Sequence, residues 1–132
     1  MKKKILIVLA AYYEDIAIGL LKNTYRYLNA NNLKNYKVKE VPGVFEIPVV
    51  ISRNIKKYDG FIALGCVIKG QTPHFDFISK ATTDAIMKLS IDYKKPIGNG
   101  IITCLNKKQA LVRAKTKGQE ASKATIEVLK KF

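Results

Sequence analysis

The sequence predicts an α/β fold, in which a four-stranded parallel sheet lies between layers of helices as a three-layer αβα sandwich. Strand-like apolar runs alternate with helical segments along the chain, and helical crossovers of this kind give parallel sheets covered on both faces. The first run, ILIVLA, has no polar alternation, which is typical of a strand buried on both faces. With 132 residues and no linker or repeat, we predict one domain over 1–132.

The first three elements are a strand, a helix and a strand. A strand is predicted over residues 4–10. A helix is predicted over 14–31, because apolar residues recur at helical spacing behind two acidic residues that suit a helix N-terminus. Residues 36–41 alternate between apolar and polar and form the second strand.

The remaining elements repeat the alternation. Pro42 and Gly43 form a turn, and a helix follows to about residue 57, with Pro48 tolerated because it lies in the first turn. The other predicted strands cover residues 59–68 and 97–104. The other predicted helices cover 72 or 73 to 92, a short segment capped by Asn106, and 117–131.

The segment after the third strand, GCVIKGQTPHFDF, is the most informative part of the chain. Ligands of such folds bind beyond the carboxyl ends of the strands, and a helix N-terminus with free N–H groups can bind an anion. The loop residues Gly70, Gln71 and Thr72 lead to His74, the one histidine, which can transfer protons near neutral pH. A histidine that only packs or caps the helix is the alternative.

The net charge of +14, from 24 Lys and Arg against 10 Asp and Glu, is compatible with nucleic-acid binding. The lysines are nevertheless scattered along the chain, and only three arginines are present, although Arg is favoured for recognising phosphates and bases. We therefore interpret the charge as a Lys-rich surface that attracts anionic substrates, and we expect no nucleic-acid partner.

The sequence favours a cytoplasmic protein. No apolar run approaches the roughly 20 residues of a membrane span, and the start MKKKILIVLA has no convincing cleavage site, so no membrane partner is expected. Cys66 and Cys104 each end a predicted strand. We expect both to be small buried side chains in a reducing compartment.

Six segments, in order along the chain, resemble the lumazine synthase family: AYYEDIA, VPGVFEIP, VIKGQTPHFDFIS, PIGNGIIT, QALVRA and KGQEAS. The resemblance implies a flavodoxin-like fold and a transferase of riboflavin biosynthesis. The implied reaction condenses 5-amino-6-(D-ribitylamino)uracil with 3,4-dihydroxy-2-butanone 4-phosphate to 6,7-dimethyl-8-ribityllumazine, phosphate and water. It implies no cofactor or metal, and one His with two distant Cys is a poor set of metal ligands. A non-catalytic flavin- or lumazine-binding protein of the same fold is the alternative.

The resemblance also implies roles for individual residues. His74 is the implied proton-transfer residue. The residues implied to contact the substrate phosphate are Gln71, Thr72, Arg113 and Lys117. The residues implied to hold the pyrimidine and its ribityl chain are Tyr12, Val44, Phe45, Glu46, Cys66, Val67, Ile68 and Asn99. Phe75 and Phe77, beside the histidine, are expected in the core.

Several of these residues have a simpler interpretation or depart from the family. Arg113 alone is typical of a solvated surface, Tyr12 of an interface rim, and Glu46 of a carboxylate that interacts with a helix dipole. Asn99 stands where many relatives place an aromatic residue, so we expect weaker binding of the pyrimidine ring. Tyr13 stands where Asn is frequent and receives no role.

The family forms pentamers with active sites at subunit interfaces, and some pentamers assemble into icosahedral shells. Shell-forming members typically carry an N-terminal extension that adds a strand to a neighbour. Here the first core strand begins almost at Met1, and the loop before Lys117 is short. We therefore expect a free homopentamer, with the two small-molecule substrates as its other partners.

Overall fold

A computed structural model of the chain describes residues 2–71 and 73–132, and strands and helices alternate along it as predicted. The strands are β1 (Ile5–Ala10), β2 (Tyr36–Val41), β3 (Gly60–Ile68) and β4 (Ile97–Cys104). The helices are α1 (Glu14–Ala30), α2 (Ile47–Asn54), α3 (His74–Tyr93), α4 (Lys107–Arg113) and α5 (Lys117–Leu129). Within the described ranges, no helix is both long and apolar enough to cross a bilayer.

The strands form one parallel sheet in the order β2-β1-β3-β4. Ile5 lies opposite both Tyr36 and Gly60, and Phe61 lies opposite Ile97. All four strands therefore begin at one edge of the sheet, and their carboxyl ends meet at the other. The predicted three-layer α/β fold with a four-stranded parallel sheet is confirmed.

Both faces of the sheet are covered, as the apolar run of β1 predicts. Ile5 and Ile7 pack in the hydrophobic cluster beneath α1, α4 and α5, which we call the α1-side cluster. Leu6 and Val8 pack in the opposite cluster, beneath α2 and α3. Since burial of such a side chain stabilises the fold by about 1.5–3 kcal/mol, alternate residues of one strand hold both helical layers on the sheet.

The chain between β2 and α2 differs from the prediction. Residues Val44–Glu46 form a 3₁₀ turn, and the α-helix begins only at Ile47. The cause is Pro48, which has no N–H to donate to the carbonyl of Val44, so regular α-helical bonding cannot extend back through it. Pro48 itself lies in the first turn of α2, as predicted.

Two glycines of β4 allow α5 to pack closely on the sheet. A Cβ at Gly98 would overlap the carbonyl oxygen of Ala121 in α5, and a Cβ at Gly100 would lie 3.2 Å from Cβ of Ala121 and 2.6 Å from Cδ2 of Leu64 in β3. The glycines of the GNG motif therefore serve helix-on-sheet packing, while Asn99 between them is exposed. The predicted Asn106 cap of α4 is confirmed, because its Oδ1 accepts the N–H of Gln109 at 2.9 Å.

Candidate active site

A cleft of about 510 Å³ opens at the carboxyl edge of the sheet. Its volume lies within the range of pockets that hold small molecules, and in sheets of this kind that edge is where ligands bind. The described residues that line it are Tyr12, Tyr13, Gly43, Val44, Phe45, Glu46, Cys66, Val67, Ile68, Gly70, His74, Phe75 and Ile78.

The parallel topology brings four separate segments to this cleft. They are the residues after β1, the turn after β2, the end of β3 and the first turns of α3. Gly65 makes the close packing possible, because a Cβ there would lie 2.6 Å from Cγ1 of Val44 and 3.0 Å from Cβ of Ala10. The end of β3 can thus approach the turn after β2 and form the inner wall.

His74 is the first residue of α3 and belongs to the cleft wall. It is exposed rather than buried in the protomer interior. Pro73 precedes it, and the carbonyl oxygen of Pro73 accepts the N–H groups of Asp76 at 3.1 Å and Phe77 at 3.2 Å, which starts the helix. The helix start therefore carries the imidazole at the rim of the cleft.

Aromatic side chains are unusually exposed around this cleft. Tyr12 is 76% exposed and Phe45 is 61% exposed, although both are large. Phe75 is half-buried on the cleft wall, and Phe77 is 68% exposed. The expectation that Phe75 and Phe77 belong to the core is wrong for the protomer, because the first turn of α3 lies at the carboxyl edge, where the sheet no longer covers it.

Glu46 holds the turn that follows β2. Its Oε1 accepts the N–H of Gly43 at 3.0 Å, and its own N–H donates to the carbonyl oxygen of Gly43 at 3.2 Å. This pair of bonds agrees with the structural interpretation of Glu46 at a helix start. The half-buried carboxylate also lies on the cleft wall, so both interpretations fit its position.

Two weakly acidic groups of the cleft are held in their neutral forms. Burial, and then the neighbouring thiol of Cys104, raises the pKa of Cys66 to about 12. Burial raises the pKa of Tyr13 as well, with Cys66 as a further cause. Both cysteines are buried, as predicted, and the inner wall at Cys66 carries no charge at neutral pH. No three His, Cys, Asp or Glu side chains in the described ranges cluster as metal ligands do.

Arg113 is not among the described residues that line the protomer's own cleft. It is exposed at the end of α4, where Nη1 donates to the carbonyl oxygen of Thr103 at 3.1 Å and lies 3.9 Å from Sγ of Cys104. These contacts hold the guanidinium at the carboxyl end of β4. Arg113 thus lies at the same edge of the sheet as the cleft, but beside the outermost strand.

Three other predicted site residues also lie outside this cleft wall, as far as the structure describes it. Asn99 is exposed in β4, and its Oδ1 accepts the N–H of Ile101 at 3.0 Å. Gln71 is exposed in the loop before α3, and Lys117 is half-buried at the start of α5. Thr72, predicted to contact phosphate, lies outside the described residues.

The structure thus brings together eight predicted site residues: Tyr12, Val44, Phe45, Glu46, Cys66, Val67, Ile68 and His74. Sequence reasoning gave no role in this cleft to Tyr13, Gly43, Phe75 or Ile78. A usable signal existed for Ile78, which follows His74 by four residues on the same helix face. For Tyr13 the only signal was its aromatic neighbour.

The chain is similar to one family over nearly its whole length. Residues 2–132 match the family model described as 6,7-dimethyl-8-ribityllumazine synthase. The 6,7-dimethyl-8-ribityllumazine synthase of Nitrobacter hamburgensis is 40% identical over 136 residues, which cover 95% of this chain and 83% of that protein. The protein of that name from Bartonella tribocorum is 41% identical over 135 residues, which cover 96% of this chain and 89% of that protein. The 6,7-dimethyl-8-ribityllumazine synthase 1 of Rhodopseudomonas palustris is 40% identical over 138 residues, which cover 96% of this chain and 84% of that protein.

Proposed function

The chain belongs to the 6,7-dimethyl-8-ribityllumazine synthase family, and we infer that it is the transferase of riboflavin biosynthesis that makes this lumazine. Its substrates are 5-amino-6-(D-ribitylamino)uracil and 3,4-dihydroxy-2-butanone 4-phosphate, and phosphate and water are the other products. The observation that carries this conclusion is the family match over residues 2–132. The relatives are named as synthases, which favours catalysis over the alternative of a non-catalytic flavin-binding protein.

For the pyrimidine substrate we propose the cleft at the carboxyl edge of the sheet. The exposed ring of Tyr12 offers a face on which a planar heterocycle can stack. Residues 44–46 and 66–68 supply main-chain groups, and the inner wall at Cys66 is uncharged. The carboxylate of Glu46 is an acceptor for hydroxyls of the ribityl chain, with Oε1 already fixed by Gly43. The cleft volume of about 510 Å³ is adequate for a ring with such a chain.

For the phosphate we propose the loop that starts α3, with Gln71 and Thr72 as its polar side chains. The support is the anion preference of a helix N-terminus. Arg113 and Lys117 of a neighbouring subunit are proposed to complete the phosphate site. Arg113 suits this role because its guanidinium can bind phosphate with two parallel hydrogen bonds.

The proposed chemistry needs neither a redox step nor a metal. The amine of the pyrimidine attacks the ketone carbon, and a first water leaves as the imine forms. Phosphate is then eliminated, and ring closure onto the second nitrogen releases a second water. Holding two reactive molecules together supplies the larger part of the rate, and His74, at the cleft rim, moves protons between the reacting groups.

We propose that the site is completed by assembly into a homopentamer of single-domain subunits in the cytoplasm. Tyr12 and Phe45 of the cleft wall, and Phe77 near the start of α3, expose more than half of their surface in the protomer. Such exposed apolar groups are typical of interaction surfaces. Asn99 lies on β4 and Arg113 lies beside it, and β4 is an edge strand with no strand on its outer side among the described residues of the protomer. These features support an interface that carries the two residues to an adjoining cleft.

The direct test is turnover. The purified protein is mixed with both substrates, and lumazine absorbance and phosphate release are followed together. We expect both products in equal amounts, and a mixture lacking either substrate is the control. If the protein binds 6,7-dimethyl-8-ribityllumazine but forms neither product, the non-catalytic alternative is correct.

A further inference from the structure

Two adjacent tyrosines of the cleft differ in how firmly the fold holds them. Tyr12 is 76% exposed, so the protomer gives its ring few contacts. Tyr13 is half-buried and packs against the α1-side cluster. Both residues line the cleft, but the ring of Tyr12 is exposed there and the ring of Tyr13 is held by the core.

The backbone of Tyr13 is fixed as well. It is the N-cap residue of α1, with an extended conformation at φ −99° and ψ 93°. Its carbonyl oxygen accepts the N–H of Ala17 at 2.9 Å, the first bond of the helix. Both ends of the residue are thus held, the main chain by the helix start and the ring by the core.

The two rings touch in an edge-to-face arrangement. Their centroids are 4.9 Å apart, and their planes meet at 85°. This is a preferred geometry for aromatic pairs, because the positive edge of one ring meets the negative face of the other. A contact between a fixed ring and a displayed ring favours one rotamer of the displayed one.

We propose that Tyr13 is a positioning residue for the pyrimidine subsite, because it sets the plane of the Tyr12 ring on which the heterocycle stacks. The proposal rests on the proposed function, which places the pyrimidine against Tyr12. A ligand that stacks on an already oriented ring does not have to order that ring on binding, so affinity for the pyrimidine is higher than with a freely rotating ring.

The ring of Tyr13, rather than its hydroxyl, makes this contribution. Burial and the neighbouring Cys66 raise the pKa of Tyr13, so the phenol is neutral at physiological pH and brings no charge to the cleft. Phenylalanine would keep the same aromatic edge. An aliphatic residue would keep the packing against the α1-side cluster but lose the aromatic pair.

The experiment compares Tyr13→Leu and Tyr13→Phe by titration with 6,7-dimethyl-8-ribityllumazine and by steady-state kinetics with each substrate varied. We expect Tyr13→Leu to raise the lumazine Kd and the pyrimidine KM by roughly three- to tenfold, the value of one aromatic pair. The KM of the four-carbon phosphate should stay within about twofold, because that subsite does not involve Tyr12. Tyr13→Phe should have a lumazine Kd and a pyrimidine KM close to those of the wild type. If Tyr13→Leu does not fold, Tyr13→Ile, which suits the extended backbone, replaces it.

A matched control is Tyr25→Leu. Tyr25 is also half-buried against the α1-side cluster, and it stacks on Tyr36 with centroids 5.5 Å apart and planes at 30°. It is not among the described residues of the cleft wall. Tyr25→Leu should leave the lumazine Kd and the KM of each substrate unchanged. This result would separate a positioning effect at Tyr13 from a general loss of packing.

A double variant separates action through Tyr12 from direct contact with the ligand. In a Tyr12→Leu background, adding Tyr13→Leu should cost no further lumazine affinity, since the ring to be oriented is gone. The proposal would be overturned if Tyr13→Leu lowered lumazine affinity in the Tyr12→Leu background as much as it does in the wild type. It would also be overturned if an active Tyr13→Leu protein had the wild-type pyrimidine KM. Either result would leave the proposed function intact. A wild-type protein that neither binds the lumazine nor turns over would instead refute the proposed function itself.

Discussion

Nη1 of Arg113 donates a hydrogen bond to the main-chain oxygen of Thr103, at 3.1 Å. This bond fixes a long, exposed side chain at the carboxyl end of the edge strand β4. The guanidinium carries further N–H donors in the same plane, so one part of it can stay on Thr103 while another meets an incoming anion. The fold therefore orients Arg113 before any ligand is present.

The first prediction concerns the planar guanidinium group of Arg113. Arg113→Lys keeps the charge but cannot hold Thr103 and bind phosphate in the same way, so we expect the KM of the four-carbon phosphate to rise roughly tenfold or more. The pyrimidine KM should stay within about twofold. Steady-state kinetics measures both constants. Arg53→Lys, an exposed arginine in the last turn of α2, is the matched control and should change neither. An equal rise in both constants would argue against a phosphate role.

The second prediction ranks the two sources of catalysis. His74→Ala removes the proposed proton-transfer group from the cleft rim, and we expect kcat to fall by roughly 10²–10⁴-fold. Measurable turnover should remain, because the two substrates are still held together. Single-turnover kinetics of a variant with wild-type mass in solution tests this. Complete loss of activity would show that proton transfer contributes more to the rate than proximity does.

The third prediction tests the packing that shapes the inner wall. Gly65→Ala places a methyl group 2.6 Å from Cγ1 of Val44, so the side chain or the turn must move. We expect a loss of roughly 1–3 kcal/mol in the free energy of unfolding, together with weaker lumazine binding. Gly70→Ala is the control for stability, since no atom of the described residues lies within 4 Å of its added Cβ, and it should cost less than about 0.5 kcal/mol. Urea unfolding measures the free energy of unfolding of both variants. An equal loss of stability in the two would contradict the predicted overlap at Gly65.

The fourth prediction concerns thiol reactivity. Burial raises the pKa of Cys66 to about 12, so this thiol should not form a thiolate readily at pH 8, and the burial of Cys104 keeps a reagent from its sulfur. Ellman's reagent should therefore react with the native protein far more slowly than with the urea-unfolded protein. Because the folded-state pKa lies above the usual value of 9.0, unfolding releases a proton between pH 9.0 and about 12, and stability should fall with rising pH in that window. A rapid reaction of one thiol in the native protein would contradict the buried position.

Much of the fold was predictable because each element carries its own local signal. The uninterrupted apolar run of β1 indicated burial on both faces, and Asn106 indicated the start of α4, and both predictions are confirmed. The start of α2 was predicted too early, since the sequence shows where Pro48 is tolerated but not that the preceding turn becomes 3₁₀. The error follows from a missing N–H donor whose effect reaches four residues back.

The cleft was less predictable, because its shape depends on how the segments that follow the strand ends pack against one another. The aromatic residues Phe75 and Phe77 look like core residues in a helical pattern, yet they follow a strand end where the sheet no longer covers the chain. Tyr13 was passed over because nothing in the sequence distinguishes a supporting ring from a displayed one. The proposed action of Arg113 on a second subunit is a feature that periodicity within one chain cannot reveal.

The central claim is that one catalytic site combines His74 of one subunit with Arg113 of its neighbour. The most direct measurement is subunit complementation: His74→Ala and Arg113→Ala chains are unfolded, mixed in equal amounts and refolded together. Random assembly should restore activity to about a quarter of the wild-type value. At each interface, about half of the chains supply an intact His74 and about half of their neighbours supply an intact Arg113, so about a quarter of the sites contain both. Mixing His74→Ala with the His74→Ala, Arg113→Ala double variant is the control and should restore none. Activity no higher than that control, in oligomers shown to contain both kinds of chain, would contradict a shared site.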